Sequence, residues 1–285
     1  MTGKIQKVAV LGAGTMGHGV AQVCAMAGMD VWLRDLNDEV LTRGVSGIEK
    51  SLAKLAEKGK ISETDRDAAR GRVQTTTDLK QAVAEADLVV EAIPEKMALK
   101  LETFAALGEH APKHAILGTN TSSLSVTEIA GASGDPGRVV GLHFFNPVPL
   151  MKLLEIVRGL STSDGSVETA RAFADTIGKE PIVVKDFPGF ATSRLGVILG
   201  VEAIRMLESG VASAEDIDKA MELGYRHPMG PLKLGDLVGL DVRLAILEHL
   251  HKELGEQFRP PALLRQMVRA GKLGRKSGEG FYKYT

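Results

Sequence analysis

The first apolar run of the chain, Val8-Ala9-Val10-Leu11, breaks at once into glycine-rich sequence, Gly12-Ala13-Gly14-Thr15-Met16-Gly17. A helical pattern follows through Val20, Val23 and Cys24 to Gly28. A short unbroken apolar run bounded by glycine predicts a strand covered on both faces. Asp30-Val31-Trp32-Leu33-Arg34-Asp35 reads as a second strand, and a third is expected near Val73 to Thr77. Further strand-like runs, alternating with helical patterns, lie at Leu88 to Ile93, Ala115 to Gly118, Arg138 to Phe145, Lys152 to Val157 and Ile182 to Lys185. Such alternation argues for a mainly parallel sheet covered by helices.

The first strand, turn and helix have the geometry of a dinucleotide site. Gly12 permits the tight turn, Gly14 lets backbone approach a pyrophosphate, and Gly17 lets the helix pack on its strand. The phosphates then rest on N–H groups at the helix start, around Thr15 and Met16. Asp35 ends the second strand at about the ~20-residue separation expected of the carboxylate that binds an adenosine ribose. A carboxylate there repels a 2′-phosphate, so the cofactor reading is NAD rather than NADP. Arg34 is the counter-signal, read as an arginine facing solvent. A Rossmann-type α/β domain over residues 1–186 is the expectation.

Between the second and third strands lies an insertion in which Leu41, Val45, Ile48, Leu52 and Leu55 recur at helical spacing, with Lys50, Lys54 and Lys58 on another face. This predicts a helical arm. Its lysines read either as a solvated face or as a contact for a phosphate-bearing substrate handle. The phrase Lys185-Asp186-Phe187-Pro188-Gly189-Phe190 marks a boundary. Beyond it helices are expected at about 189–209, 213–223, 231–254 and 260–271, with Ser213 and Asp216 forming an approximate capping box. The predicted second domain, 187–285, is therefore all-helical. Leu195, Ile198, Leu199, Ile204 and Leu207 spread around its first helix, as expected of a domain that packs against a copy of itself.

Composition narrows the partners. The 285 residues carry 35 basic and 36 acidic side chains, for a net charge of −1 and no long block of either sign. Nucleic acid and membrane are poor expectations for such a surface. No apolar stretch reaches the ~18 residues of a membrane span, no signal-like segment precedes the first strand, and a cytoplasmic protein is expected. The single cysteine, Cys24, lies in the apolar part of the first helix and reads as a core residue.

Candidate chemistry sits where an open α/β sheet presents its ligand crevice. Arg138-Val139-Val140-Gly141-Leu142-His143-Phe144-Phe145-Asn146-Pro147 places a histidine at the end of an apolar run. Glu155 interrupts Leu153-Leu154-Glu155-Ile156-Val157, and burying that carboxylate is costly unless it is paired. Together the two make a general base with its orienting acid. Alternatively, the histidine is satisfied by backbone and Glu155 lies on an exposed edge.

His-Phe-Phe-Asn-Pro, followed by Met151-Lys152-Leu153-Leu154-Glu155, with Asn120-Thr121-Ser122-Ser123-Leu124 upstream and Pro188-Gly189-Phe190 downstream, resembles the L-3-hydroxyacyl-CoA dehydrogenase family, including the bacterial 3-hydroxybutyryl-CoA dehydrogenases. The likeness runs from Val8 to Tyr284. It implies NAD-dependent, reversible oxidation of an L-3-hydroxyacyl-CoA to the ketone, with His143 as base, Glu155 as its partner and Ser122 near the nicotinamide and the substrate oxygen. It further implies NAD contacts from Glu95, Lys100, Asn146 and Lys276, and coenzyme A contacts from Ser51 and Lys58. A homodimer through the helical domain and a place in β-oxidation are expected with it. One position departs: after Pro-Gly-Phe the family usually has Asn followed by Arg, and this chain has Ser193-Arg194. A serine there still offers a substrate-side hydroxyl, with shorter reach. The rival readings are a dehydrogenase of a free hydroxy or sugar acid and a non-catalytic NAD-binding relative.

Overall fold

The computed structural model describes residues 5–284, and the chain divides into two compact units, residues 1–186 and 187–285. The first unit runs β1 (Lys7–Leu11), α1 (Thr15–Met26), β2 (Asp30–Arg34), α2 (Asp38–Glu57), α3 (Glu63–Gly71), β3 (Val73–Thr76), α4 (Leu79–Val83), β4 (Leu88–Glu91), α5 (Met97–His110), β5 (Ile116–Thr119), α6 (Val126–Ala132), β6 (Val139–Phe144), β7 (Leu153–Arg158), α7 (Asp164–Thr176) and β8 (Glu180–Lys185). The strands form one sheet in the order β3-β2-β1-β4-β5-β6-β7-β8. All neighbours are parallel except β6 and β7. This is the Rossmann-type domain expected from the alternation of strands and helices.

Alternation along the strands divides the core between the two faces of the sheet. Val8 and Val10 of β1, with Leu88 and Val90 of β4, join the cluster that includes Val20 and Cys24 of α1. Ala9, Leu11 and Val89 join the other, with Phe104 and Leu107 of α5. Both faces being covered is why these strands read as continuous apolar runs rather than as alternating ones. Cys24 is fully buried and its thiol is pushed up to about 12 by desolvation, as befits a core residue.

The arm is a helical pair. α2 buries Leu41, Ile48 and Leu52, and it begins close against the glycine turn, since a Cβ at Gly44 would lie 2.8 Å from the Ala13 carbonyl oxygen. Asn37 and Ser62 cap α2 and α3, the latter through a reciprocal capping box with Asp65.

The second unit runs α8 (Thr192–Glu208), α9 (Ala214–Lys219), α10 (Pro231–Val238), α11 (Leu240–Leu254) and α12 (Ala262–Arg269) around its own core. Three of its helices differ from expectation. The single helix predicted over 231–254 is broken at Gly239, whose φ of +105° only glycine adopts freely. The one predicted over 213–223 narrows to α9, capped by Ser213 as expected, and ends in a wider turn at Ala220–Gly224. α8 starts at Thr192 rather than 189 because Gly189 and Phe190 are left-handed. No helix among the described residues is long and apolar enough to cross a membrane.

Candidate active site

The glycine turn has the shape a dinucleotide requires. Gly12 has φ +100°, and a Cβ there would lie 2.5 Å from the Ala92 carbonyl oxygen. At Gly17 a Cβ would lie 1.7 Å from the Gly12 carbonyl oxygen, so helix and strand meet at backbone distance. Gly14 is the opposite case: a Cβ there meets no protein atom within 4 Å, which leaves open the side a pyrophosphate would approach. α1 also lacks a side-chain cap and any acidic residue in its first turn, unlike α2 and α3. The N–H groups around Thr15 and Met16 thus keep their attraction for an anion. Asp35 stands beside this turn at the end of β2, its Oδ2 accepting the Ala13 N–H at 2.7 Å and its Oδ1 the Leu36 N–H at 2.6 Å. Arg34, read as facing solvent, is half-buried and donates from Nε to the Thr77 carbonyl at 3.2 Å. These residues fit a bound NAD.

His143 and Glu155 are brought together by strand register. They sit directly opposite each other on the antiparallel pair β6–β7, so their side chains share a face. His143 Nδ1 lies 2.6 Å from Glu155 Oε2, with Glu155 fully buried and His143 6% exposed. Of the two readings left open by the sequence, the buried pair is the observed one. With Nδ1 turned to the acid, Nε2 is the ring nitrogen on the side away from Glu155. Phe145, two residues on, packs against the imidazole with ring centroids 4.5 Å apart and planes tilted by 48°. Asn120 Oδ1 accepts the Phe144 N–H at 2.9 Å, which ties the turn after β5 to the strand carrying His143.

Ser122 lies in that turn, held by Glu95 from the loop after β4. Glu95 Oε1 accepts the Thr121 hydroxyl at 2.5 Å, the Ser122 N–H at 2.8 Å and the Ser123 N–H at 3.3 Å. Burial alone would raise the Glu95 carboxyl, but the Lys100 ammonium and these donors outweigh it and hold the group below the usual carboxylate range. Lys100 is buried, its Nζ 2.7 Å from Glu91 Oε1 and 3.2 Å from Glu95 Oε2. Asn146 is exposed in the loop between β6 and β7. That loop is stapled by Lys179, a residue the sequence did not single out. Its Nζ donates to the carbonyls of Val148 and Met151 at 2.5 and 2.6 Å.

Lys50 and Lys54 on α2, and Lys58 just past its C-terminal end, are exposed and none has an ion-pair partner among the described residues, while Ser51 is half-buried. In the second unit Ser193 is half-buried in the first turn of α8, and Lys276 pairs with Asp241 at 2.7 Å. The segment carrying Lys276 is tied down by acids that sequence reasoning missed. Asp236 accepts the Phe281 and Tyr282 N–H groups, each at 3.0 Å, and the Tyr284 hydroxyl at 2.9 Å. Asp218 accepts the Tyr282 hydroxyl at 2.7 Å. The remaining omission is Glu91, hidden because an acid at the end of an apolar run looks like an ordinary strand terminus.

Residues 7–187 match the family described as "3-hydroxyacyl-CoA dehydrogenase, NAD binding domain", and residues 189–284 match its "C-terminal domain". A relative from Deinococcus radiodurans, named "Probable 3-hydroxybutyryl-CoA dehydrogenase", is 50% identical over 98% of this chain and 100% of its own length. One from Mycobacterium tuberculosis, named 3-hydroxybutyryl-CoA dehydrogenase, is 44% identical over the whole of both chains. The crystal structure of (S)-3-hydroxybutyryl-CoA dehydrogenase from Ralstonia eutropha superposes with a TM-score of 0.95 at 41% identity, covering 99% of this chain and 100% of that one.

Proposed function

The chain belongs to the 3-hydroxyacyl-CoA dehydrogenase family, and from that premise we propose that it oxidises the 3-hydroxyl of a short-chain L-3-hydroxyacyl-CoA, with NAD as cofactor. The observation that carries the reading is the buried His143–Glu155 pair at 2.6 Å, at the sheet edge where the Gly12, Glu95 and Ser122 turns also emerge. His143 takes the substrate hydroxyl proton at Nε2. Glu155, acceptor-only when ionised, fixes the tautomer beforehand and compensates the imidazolium afterwards. Ser122 holds the substrate oxygen, and Glu95 holds Ser122. NAD, when bound, supplies the acceptor for the electron pair leaving the substrate carbon. Ser193 takes the place of the family's usual asparagine as a substrate-side hydroxyl of shorter reach.

The arm supplies the handle for coenzyme A. Three exposed ammonium groups without acidic partners among the described residues suit a phosphate-bearing tail, and Ser51 lies on the same helix. Following NADH appearance by absorbance with L-3-hydroxybutyryl-CoA, its D-isomer and free 3-hydroxybutyrate tests the reading, with only the first expected to react efficiently. Reversing Lys50, Lys54 and Lys58 to Glu is expected to raise the KM for the thioester by roughly tenfold or more, an effect weakening at high salt. An equal rate with the free acid, or a KM that ignores the reversal, would point to a free hydroxy acid as substrate.

The second unit carries the dimer reading. Ile204 is buried in its core, whereas Leu195 and Leu199 of α8 are 63% and 44% exposed, and Leu223 and Tyr225 are 75% and 76% exposed. So much large apolar side chain in one small helical unit marks a surface for association, here with a second copy. Light scattering should return about twice the chain mass of 30.3 kDa; a monomer at micromolar concentration would rule the reading out.

A further inference from the structure

We propose that Glu91 is a positioning residue for this reaction, acting through Lys100 to set the Glu95 carboxylate that holds the Ser122 turn. A buried ammonium needs a single counter-ion, yet Lys100 has two carboxylates, and the nearer is Glu91 at 2.7 Å rather than Glu95 at 3.2 Å. Glu91 is fully buried, whereas the Glu95 side chain keeps 36% of its exposure. Every donor around Glu91 is a fixed part of the fold. Oε1 also accepts the Ile93 N–H at 2.9 Å, and Oε2 accepts the Thr119 hydroxyl at 2.7 Å. Glu91 therefore anchors Lys100 at the ends of β4 and β5 and draws the ammonium to one side. That leaves Glu95 only its Oε2 to share with Lys100, so Oε1 is available for Thr121, Ser122 and Ser123.

Without the charge on Glu91, the ammonium closes on Glu95 and competes with the turn for its oxygens. The turn's bonds to the Glu95 carboxylate are charge-assisted already, but the ammonium brings a full opposite charge at a poorly solvated place, so Lys100 wins that competition and the turn loses the Glu95 oxygen.

The inference rests on the assignment of Ser122 to the reaction, and its test separates the two. In the full chain, Glu91→Gln keeps shape and length while removing charge. It is expected to lower kcat roughly tenfold, to raise the NADH dissociation constant in a fluorescence titration about fivefold, and to leave the KM for the acyl-CoA within about twofold. Glu91→Asp, which keeps the charge, is expected to recover most of the loss. Were Glu91 merely part of the core, its variants would lower the melting temperature while kcat per folded molecule and NADH affinity held at wild-type values, and the proposal would be overturned. Should Glu91→Gln not fold, Thr119→Val removes only the hydroxyl steadying Oε2 and is expected to lower kcat about threefold with the same split; an unchanged kcat overturns the idea equally. A wild-type chain that makes no NADH from any hydroxyacyl-CoA sinks the reaction reading instead, and the NADH titration still decides the part played by Glu91.

Discussion

Replacing His143 with alanine is expected to cut kcat by roughly 10²–10⁴-fold, the usual worth of a positioned base, or about 3–5 kcal/mol of barrier, while NADH continues to bind. The loss falls on kcat because the imidazole acts on the substrate proton, whereas the glycine turn, Asp35, Glu95 and Lys100, to which cofactor contacts are assigned, lie on other turns of the sheet edge. The alanine variant carries a complication that the structure makes plain. Glu155 has no exposure, and truncating His143 takes from that buried carboxylate a partner 2.6 Å away. Breaking a buried pair from one side destabilises a fold by about 3–5 kcal/mol. His143→Gln should accompany it, since an amide N–H can still donate to Glu155 without serving as a base. Glu155→Gln preserves packing and removes the compensating charge, and is expected to cost less than loss of the base itself. Because the two groups act as a unit, combining the substitutions should lower kcat little beyond His143→Gln alone. Steady-state rates, scaled to the folded fraction from circular dichroism, check all four variants. Turnover near wild type in His143→Gln would end the mechanism.

Gly17→Ala is expected to weaken NADH binding by roughly 100-fold or more, equivalent to about 3 kcal/mol, and to lower thermal stability at the same time. The new methyl would sit 1.7 Å from the Gly12 carbonyl oxygen and 2.8 Å from its carbon, and neither backbone atom can swing aside as a side chain would. α1 must lift from β1, and the turn between them moves with it. Gly14→Ala isolates the other function of the turn. Its backbone, φ −68° and ψ −169°, suits any residue, and the added carbon meets no protein atom within 4 Å. Its melting temperature should therefore match wild type while its NADH affinity falls, because the methyl occupies space only a ligand would use. Undiminished binding in Gly14→Ala would mean that no pyrophosphate approaches this turn.

The eight strands and the glycine turn were legible in the sequence because each rests on local rules. Central strands such as β1 and β4, covered on both faces, are apolar almost throughout, and a turn that bends back at backbone distance admits only glycine. The break at Gly239 was harder to see, since apolar spacing continues across it and only the backbone, with its positive φ, interrupts it. The lysines of α2 stayed ambiguous for a similar reason: periodicity says which face they share and nothing about what meets it.

What the sequence determined alone is the order of elements, the dinucleotide turn with Asp35 beside it, and the residue types able to perform acid–base chemistry. Only the tertiary structure decided which of those groups meet. The antiparallel register of β6 and β7 sets His143 opposite Glu155, and the pairing of β4 with β5 lets Glu91 reach Thr119 while Lys100 bridges to Glu95. Spacing along a chain carries no information about register between strands, which is settled by burying apolar faces on both sides of the sheet at once.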